Sequence, residues 1–385
     1  EVFTDTKPLK VGLVGCGGRG LGAMKNALDA DPGTMVWALA DVFQERIDFG
    51  AKLLAEQYGN RAQLDRSRLF SGLDSYKRLL QTDIDVVLLC TPPAFRPEHL
   101  AAAIDASKHI YAEKPVAVDV PGVLSVLESA RLAKLKNLVI LDGFCWRYDK
   151  ANEEAHRKLS SGLLGRVLSF DGLYYTTPPK SPLALDSRPS SDTDVAWALR
   201  NWTAWNWLSG GQFVEQIVHT IDGMVWSMNE QLPLAAFGSG GRAQRRDDGD
   251  VWDHYVTAHI SCRQWVGCHG EIVDRTICEK GMLVTPYRPY IQANNRWRFR
   301  GERGNMYADT HVAFYRFLRS GTWTQTLESA ANKTLAAIMG REAAHTGQRI
   351  TWEQIKKSTA RLMPEDLTMD TPLPPARIPR PGRTA

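Results

Sequence analysis

Several features that commonly assign a chain to a class are absent from this sequence. Its six cysteines include no Cys-x-x-Cys pair and no cysteine–histidine spacing typical of zinc sites, so we expect no bound metal. No stretch approaches the ~18 consecutive apolar residues of a transmembrane helix. The 47 lysines and arginines nearly balance the 43 aspartates and glutamates and are scattered, which argues against nucleic-acid and membrane-surface partners.

The composition is that of a globular protein. Hydrophobic residues make up 43% of the 385 positions and charged residues 23%, which excludes a disordered chain and a small disulfide scaffold. Because single cores stop growing at about 250–300 residues, we expect two domains. Twelve tryptophans is a high number, and seven of them lie between Trp197 and Trp265. The sequence leaves open whether Cys262, Cys268 and Cys278 form a disulfide.

Residues 7–146 alternate between predicted strands and predicted helices. Short apolar runs at 9–15, 34–42 and 109–115 are separated by segments of helical character. The run IDVVLLCTP at 84–92 is continuously apolar, as in strands buried on both faces of a parallel sheet. This alternation predicts an α/β domain built on a doubly wound parallel sheet.

Residues 147–368 predict a second domain of a different kind. Segments between 235 and 300, among them HYVTAHISC and GMLVTPY, alternate apolar and polar residues, which predicts antiparallel strands with one covered face. A long loop is expected over 176–200, where Pro, Ser and Asp are frequent. Helices are expected near the end of this domain, over 309–320 and 326–346. The tail, 369–385, carries five prolines and is expected to be extended.

A glycine-rich turn lies directly between the first predicted strand and the first predicted helix. It reads Gly15-Cys16-Gly17-Gly18-Arg19-Gly20 and satisfies the pattern G-x-G-x-x-G. The first glycine allows a tight turn, the second lets the backbone approach a pyrophosphate, and the third lets the helix pack close to the strand. The amides at the helix N-terminus then point at the anion. We therefore predict a dinucleotide site formed by these residues.

Asp41 ends the second predicted strand, 21 residues beyond Gly20. A carboxylate at this place can accept hydrogen bonds from both ribose hydroxyls and would repel a 2′-phosphate, so the sequence favours NAD. Arg46 lies nearby and keeps NADP open as the alternative. In the purely structural alternative, the glycines form an ordinary turn and Asp41 caps a helix.

With these motifs the chain resembles the Gfo/Idh/MocA oxidoreductases. The resemblance covers about residues 10–350 and rests on VGLVGCGGRG, CTPPAFRPEHLAAAIDASKHIYAEKPVAVD, LLGRV and GGQFVEQIVHTIDGMVW, of which AEKP is the most specific part. It implies an N-terminal Rossmann domain and a C-terminal α/β domain with a large open, mostly antiparallel sheet. Because that sheet often mediates oligomerisation in the family, it also implies a homodimer or homotetramer. Thr91, Pro92 and Glu113 are implied as further cofactor contacts.

Lys114 follows Glu113 at the end of a predicted parallel strand, where ligands bind in open α/β sheets. A cation there can lie against a substrate hydroxyl and stabilise the alkoxide that develops as hydride leaves. The resemblance implies that this lysine contacts both substrate and nicotinamide. The alternative is a surface lysine that pairs with Glu113.

Glu215, His219 and Asp222 form a second candidate group. Helical spacing puts Glu215 and His219 on one face, with Asp222 one turn beyond the histidine. Since a histidine ordinarily titrates near pH 6.5, we expect His219 to be the acid–base group, while the carboxylates tune it or bind substrate. The family pattern is Asp-x-Gly-x-His-x-x-Asp, from which Glu215 and Ile217 depart, so Glu215 is itself a candidate for acid–base work. The alternative is a structural histidine in a core helix.

Further candidates are expected on the substrate side. Arg147 can donate a bidentate fork to sugar or carboxylate oxygens, and Tyr148 follows it. Trp205 and Trp207 precede the second candidate group, and their indoles either stack on sugar C–H faces or fill a gap between domains. Arg96 stands where the family commonly has histidine, and contact with cofactor, with an acidic substrate or with solvent stays open.

These observations lead to one hypothesis and its alternatives. The chain is expected to be an NAD-dependent oxidoreductase that transfers hydride between a tightly bound cofactor and a sugar or glycoside hydroxyl. One alternative is a glycoside hydrolase or lyase that oxidises its substrate transiently and then reduces it again. Another is a non-catalytic dinucleotide-binding regulator. Because the chain begins at Glu1 and resembles an exported, tryptophan-rich bacterial branch of the family, we expect a periplasmic or exported protein, with a cytoplasmic alternative.

Overall fold

The computed structural model describes residues 7–179, 181–245, 247–258, 260–264 and 270–380. These residues form two compact units. The first comprises the described residues up to Val116 together with Leu124–Tyr148 and Gly304–Ala331. The second comprises Ala117–Val123, the described residues of Asp149–Arg303, and the described residues from Asn332 onward. Within the described ranges no helix is both long and apolar enough to cross a membrane.

The first unit is built on a six-stranded parallel sheet. Its strands are β1 (Leu9–Val14), β2 (Thr34–Asp41), β3 (Leu69–Ser71), β4 (Val86–Leu89), β5 (His109–Ala112) and β6 (Ile140–Asp142). They lie in the order β3-β2-β1-β4-β5-β6, so the direction of winding reverses between β1 and β4. This is the doubly wound topology that the sequence predicts, and ligands of such sheets bind outside the carboxyl ends of the strands at that reversal.

The helices are numbered through both units in chain order. They are α1 (Gly18–Ala30), α2 (Gln44–Tyr58), α3 (Ser75–Leu80), α4 (Arg96–Asp105), α5 (Val120–Leu135), α6 (Lys150–Ser160), α7 (Asp194–Arg200), α8 (Asn206–Ser209), α9 (Gly211–Glu215), α10 (Val218–Ser227), α11 (Met306–Ser320), α12 (Leu327–Thr346) and α13 (Trp352–Ile355). The predicted helices at 309–320 and 326–346 therefore correspond to α11 and α12.

The core of the first unit follows from its apolar strands. All four residues of β4 are fully buried, because helices cover both faces of a parallel sheet. On α1 the apolar residues recur at helical spacing, and Ala23, Met24 and Ala27 are fully buried in the same core.

Residues 304–331 cluster with the first unit, although the sequence analysis assigned them to the second domain. Helix α11 contributes Phe314 and Tyr315 to the core around β1. The segment after it runs beside β6, where the amide of Ile140 donates to the Thr324 carbonyl at 3.0 Å and the amide of Thr326 donates to the Ile140 carbonyl at 3.2 Å. These bonds join parts of the chain that are far apart in sequence, so local patterns do not reveal them.

The second unit contains an open eight-stranded sheet. Its strands, with the small pair β8 and β16, are β7 (Val167–Thr176), β8 (Ala235–Ala236), β9 (Gly238–Gly241), β10 (His254–Thr257), β11 (Ile260–Gln264), β12 (Glu271–Cys278), β13 (Gly281–Thr285), β14 (Tyr290–Ala293), β15 (Trp297–Arg298) and β16 (Ile350–Thr351). The large sheet has the order β15-β14-β13-β12-β7-β11-β10-β9. It is antiparallel except between β11 and β7, as expected for a large, open, mostly antiparallel sheet.

One face of this sheet is covered. On β7, Phe170, Gly172 and Tyr174 are buried, whereas Asp171, which belongs to the opposite face, is exposed. Helix α10 packs close to β7, because a Cβ atom at Gly172 would lie only 2.3 Å from Cγ2 of Thr220. The alternation predicted for one covered face is therefore present.

The expected loop over 176–200 contains a helix at its end. Helix α7 begins after Thr193, whose hydroxyl oxygen accepts the amide of Ala196 at 3.2 Å. Its residues Val195, Trp197 and Leu199 are buried, so packing stabilises a segment whose composition indicated a loop. The capping residue Thr193 and the aromatic Trp197 are the local signals in the sequence that indicate this helix.

Candidate cofactor and active-site residues

The glycine turn has the geometry that its spacing predicts. Gly15 has a φ of +98°, and a Cβ atom there would lie 2.8 Å from the carbonyl carbon of Cys90. A Cβ atom at Gly20 would lie 1.8 Å from the carbonyl oxygen of Gly15. The first glycine is therefore required for the turn and the third for the close approach of α1 to β1.

The middle of the turn is open. No atom lies within 4 Å of a Cβ built on Gly17 or on Gly18, the residues at which the 13-residue helix α1 begins. The backbone amides of this helix start are thus approachable by a pyrophosphate, which the helix dipole favours. The residues present fit a dinucleotide.

Replacing Gly17 by alanine is expected to weaken NAD binding by roughly tenfold or more, about 1.4 kcal/mol, without loss of stability. The backbone of Gly17 is extended, with φ −74°, so alanine fits the fold and only the side of the approaching pyrophosphate is obstructed. Calorimetric titration with NAD and a thermal melt measure both effects. Gly270→Ala is the matched control, since a Cβ atom there would meet only the carbonyl oxygen of Tyr175, at 3.9 Å, and Gly270 belongs to the second unit. Equal NAD affinity of Gly17→Ala and the wild type contradicts the assignment.

Asp41 lies against the glycine turn. Its Oδ2 accepts the amide of Cys16 at 2.7 Å and its Oδ1 accepts the amide of Phe43 at 3.0 Å. Nη1 of Arg46 lies 3.8 Å from the same Oδ1. The Asp41 carboxylate therefore stabilises the glycine turn through these hydrogen bonds. It also lies at the carboxyl end of β2, where the ribose contact is predicted.

The lysine candidate follows β5 at the same edge of the sheet. Lys114 is half-buried, and the Glu113 side chain before it is nearly buried. Oε1 of Glu113 lies 3.4 Å from Nε of Arg19, and the Arg19 guanidinium lies over the ring of Tyr307 at 4.8 Å. An ion pair thus connects the glycine motif to the residue that precedes Lys114. Glu113 is one expected partner of Lys114, and no pattern in the sequence indicates its pairing with Arg19.

Arg96 does not face solvent, which removes one of the three alternatives considered for it. The side chain is 1% exposed. Its Nη1 donates to the carbonyl of Pro115 at 2.6 Å, and its Nη2 donates to the carbonyl of Thr91. Nearby, Nδ1 of His99 lies 3.2 Å from the Thr91 hydroxyl. Burial, with a smaller contribution from the charge of Arg96, lowers the pKa of His99 to about 3, so this histidine is neutral at physiological pH.

In the second unit, the helix predicted to carry both Glu215 and His219 is broken. Gly210 and Gly211 have φ values of +77° and +76° and begin α9, which ends at Glu215. Helix α10 begins only at Val218, and the amide of His219 donates to the carbonyl of Gln216 at 3.1 Å. Regular helical spacing therefore does not extend from Glu215 to His219, although the two remain close in sequence.

Asp222 is held in a buried ion pair. Its Oδ1 lies 2.8 Å from Nζ of Lys333 on α12, and both side chains are nearly fully buried. Removing one partner of such a pair costs about 3–5 kcal/mol, because the other charge stays buried. No sequence signal pointed to Lys333. The expectation that Asp222 tunes His219 or binds substrate stays a prediction.

A further acid lies beneath α10. Oδ2 of Asp274 on β12 would be 2.9 Å from a Cβ atom at Gly223. Burial, and to a lesser degree the charge of Asp222, raises the pKa of Asp274 well above its usual range. The opposite charges of Lys333 and Asp222 already balance each other in the adjacent ion pair. Alternation along β12 could have identified Asp274 as inward-facing, but not its partners.

The remaining candidates divide between the two units. In the first, Arg147 and Tyr148 are half-buried, and Phe144 and Trp146 are buried as expected of core residues. In the second, Trp205 and Trp207 are each 9% exposed. Nε1 of Trp205 and the amide group of Gln212, which is 2% exposed, have no hydrogen-bond partner among the described residues.

The described residues hold no group of three or more His, Cys, Asp or Glu side chains placed to bind a metal ion. Cys16, Cys90, Cys145 and Cys278 are free thiols. The question of a disulfide among Cys262, Cys268 and Cys278 falls partly outside the described residues.

Comparison with known proteins agrees with this geometry. Residues 9–140 match the family profile GFO_IDH_MocA, described as an oxidoreductase family with an NAD-binding Rossmann fold. A dTDP-3,4-didehydro-2,6-dideoxy-alpha-D-glucose 3-reductase of Actinomadura kijaniata is 28% identical over 177 residues, which are 46% of this chain and 48% of that protein. A glycosyl hydrolase family 109 protein of Streptomyces coelicolor is 32% identical over 45% of this chain and 35% of its own. These matches span about half or less of the curated relatives.

Comparison with solved structures shows that the similarity in fold covers most of the chain. A levoglucosan dehydrogenase in complex with NADH and levoglucosan superposes with a TM-score of 0.68 and 20% identity, covering 89% of this chain and 99% of its own. At that identity the likeness concerns the fold. The profile match identifies residues 9–140 as an NAD-binding Rossmann domain of the Gfo/Idh/MocA oxidoreductase family, in agreement with the glycine turn.

Proposed function

We propose that the protein is an NAD-dependent oxidoreductase that acts on a hydroxyl group of a sugar or glycoside. The observation that supports this most directly is the ion pair of Arg19 with Glu113. This ion pair connects the glycine turn to Glu113, the residue before Lys114. The Lys114 ammonium and the nucleotide-binding motif therefore belong to the same carboxyl edge of the sheet. That edge is where doubly wound sheets bind their ligands.

Residues of the first unit would hold the dinucleotide. The amides at Gly17 and Gly18 face open space and suit the pyrophosphate. Asp41 suits the adenosine ribose, and Thr91 and Glu113 follow β4 and β5 on the other side of the point where the winding reverses. A nicotinamide bound there supplies a group that accepts or donates hydride at a substrate carbon.

Catalysis is assigned to two side chains, one that stabilises charge and one that transfers a proton. The Lys114 ammonium stabilises the negative charge that develops on the reacting oxygen, which is an electrostatic contribution to the transition state. His219 takes the hydroxyl proton when the substrate is oxidised and returns it in the reverse direction. Glu215 is half-buried and carries a longer side chain than the family's aspartate, so it is assigned to substrate contact or to tuning His219.

The substrate class follows from the polar and aromatic groups of the second unit and from the relatives. A buried indole N–H of Trp205 and a buried amide of Gln212 without partners among the described residues suit the hydroxyls of a polyhydroxylated ligand. The named relatives act on a dideoxy sugar nucleotide or bind levoglucosan, which are both carbohydrates. Trp207 is assigned to stacking on a sugar face.

Asp41→Ser is expected to shift the cofactor preference toward NADP, because a serine no longer repels the 2′-phosphate. Serine can still accept the amide of Cys16, which the carboxylate now does at 2.7 Å, so the turn is retained better than with alanine. Dissociation constants for NAD and NADP measured on wild type and variant give the ratio. If wild-type protein binds both cofactors equally, Asp41 does not select NAD.

One alternative activity has a specific observation in its favour. The glycosyl hydrolase family 109 relative covers 45% of this chain at 32% identity. A glycoside-cleaving enzyme of this kind would use the same lysine and histidine, but oxidation would be followed by elimination, water addition and reduction within one turnover. It would need no external oxidant.

The two activities separate in one experiment. Purified protein is incubated with free sugars and with aryl glycosides, with NAD either added or omitted, while NADH and released aglycone are both followed. A dehydrogenase forms NADH in equal amount to oxidised sugar and stops when NAD is exhausted. Release of aglycone without added NAD and without net NADH supports cleavage instead. Failure to bind either NAD or NADP overturns the proposal.

A further inference from the structure

Arg96 is a buried cation at the edge of the sheet where the cofactor is proposed to bind. It is the first residue of α4, and its guanidinium donates to two backbone carbonyls, those of Thr91 and Pro115. Thr91 follows β4 and Pro115 follows β5, and these strands are paired neighbours in the parallel sheet. One side chain therefore bridges the two loops that leave adjacent strands at their carboxyl ends.

Both ends of this bridge adjoin proposed functional residues. Thr91 belongs to the turn assigned to the cofactor, and its hydroxyl is also contacted by the neutral His99 at 3.2 Å. Pro115 directly follows Lys114, and its carbonyl accepts from Arg96 at 2.6 Å. On the other side of Lys114, Glu113 is engaged by Arg19 at 3.4 Å. The residues on both sides of the lysine are thus each held by an arginine.

We propose that Arg96 is a positioning residue that fixes the main chain at Lys114 relative to the Thr91 turn, and so places the lysine ammonium against the reacting hydroxyl. This inference rests on the proposed role of Lys114. Arg96 itself acts through the Thr91 and Pro115 carbonyls. It therefore affects the rate through the location of another side chain.

The chemistry explains why arginine is suited to this position. A guanidinium is planar and presents several N–H donors in a rigid fork, so it can serve two carbonyls at once in fixed geometry. A lysine ammonium at the same place can approach only one of them well, because its charge sits at a single point on a flexible chain. An imidazole, which the family commonly has here, is shorter and offers one donor to one carbonyl when neutral.

The test compares Arg96→Lys with Arg319→Lys. Arg319 is a matched control, because it is a nearly buried arginine of the same unit that donates to a backbone carbonyl, that of Lys7 at 2.9 Å, and pairs with Asp31. It lies at the amino end of β1, away from the cofactor edge. For each protein the NAD dissociation constant, kcat at saturating NAD and the thermal midpoint are measured with the best substrate of the panel.

A second readout does not depend on turnover. Lys114 is half-buried, so its amine can be methylated with formaldehyde and a borane reductant and the extent read by peptide mass spectrometry, with and without saturating NAD. If the lysine lies where the nicotinamide binds, NAD slows its methylation in the wild type. The protection should persist in Arg319→Lys and fall in Arg96→Lys.

We expect Arg96→Lys to lower kcat about 10- to 100-fold at saturating NAD, because small displacements of a catalytic group have effects of this order. NAD affinity should change far less than kcat, and Arg319→Lys should keep kcat. Arg96→His, which like Arg96→Lys can serve only one of the two carbonyls, should lower kcat to a similar degree, and it decides the matter if Arg96→Lys does not fold.

Three results would overturn the inference. One is unchanged kcat and unchanged protection in folded Arg96→Lys, a second is an equal loss of kcat in Arg319→Lys, and a third is weaker NAD binding with normal kcat, which would assign Arg96 to the cofactor turn alone. If the wild type turns over no substrate but NAD protects Lys114 only when Arg96 is intact, the proposed function fails and the positioning role stands.

Discussion

Lys114→Ala is expected to lower the turnover number by about 10²–10³-fold, the usual cost of removing one electrostatic donor from a transition state. The variant should still bind NAD, because the amides at the start of α1, which we propose hold the pyrophosphate, and Asp41 are both retained. Steady-state rates at saturating NAD, together with calorimetric NAD affinity, separate the two effects. The fall should appear in kcat more than in the Michaelis constant, since the ammonium matters most when charge develops on the oxygen.

Lys108→Ala is the matched control for this prediction. Lys108 immediately precedes β5, whereas Lys114 follows the same strand at its other end. The Lys108 ammonium donates to the carbonyl of Ile84 at 2.7 Å, so its removal tests a generic loss of a lysine contact in the same unit. Lys108→Ala should keep kcat within about twofold of the wild type, as surface changes away from a site usually do. Near-normal turnover in Lys114→Ala would refute the role of Lys114.

His219→Gln is expected to lower kcat by about 10²–10⁴-fold, the range that a positioned general acid or base contributes. Glutamine keeps hydrogen-bonding capacity and approximate size at a position that is only 8% exposed, so the fold should survive. In the direction of oxidation the base must be neutral, and protonation at low pH removes activity. The acidic limb of the kcat profile should therefore disappear in the variant, leaving a low rate that is flat with pH.

His254→Gln serves as the control in the same unit. His254 is partly exposed and its Nδ1 lies 2.7 Å from Oδ1 of Asp253, so it is a histidine–carboxylate pair without a proposed catalytic role. Its replacement should leave both kcat and the acidic limb unchanged. An acidic limb that persists in His219→Gln would transfer the acid–base role to another group, of which Glu215 is the first candidate.

The strongly local features of this protein could be predicted from sequence. The glycine turn, the strand that ends at Asp41 and the strand that precedes Lys114 depend on short spacings, on apolar runs and on backbone conformations open only to glycine. The alternation of strands and helices in the first unit depends on the same short-range patterns and predicted the doubly wound class of the sheet. The strand order, and the short strand β3, appear only in the structure. The family motifs added the assignment of Lys114 and His219, which the spacing of residues alone would have left less certain.

Prediction was weaker where a break or a partner decides the structure. The helix predicted through Glu215 and His219 is interrupted between α9 and α10. The sequence did not reveal this break, because the pattern of apolar and polar residues is compatible with a continuous helix and the break depends on packing. Helix α7 was not predicted within the expected loop over 176–200, because its buried residues stabilise a helix that the composition of the segment disfavours.

The sequence by itself determined where the nucleotide turn lies, that the first domain is built on a doubly wound parallel sheet, and which residue types follow several of its strands. Only the tertiary structure decided that Arg96 bridges Thr91 and Pro115, that Lys333 neutralises Asp222, and that residues 304–331 return to the first unit. The physical reason is the range of the interactions involved. Periodicity and turn chemistry act over a few residues. A buried charge can be paired by a residue from anywhere in the chain, and it must be paired because leaving it alone is costly.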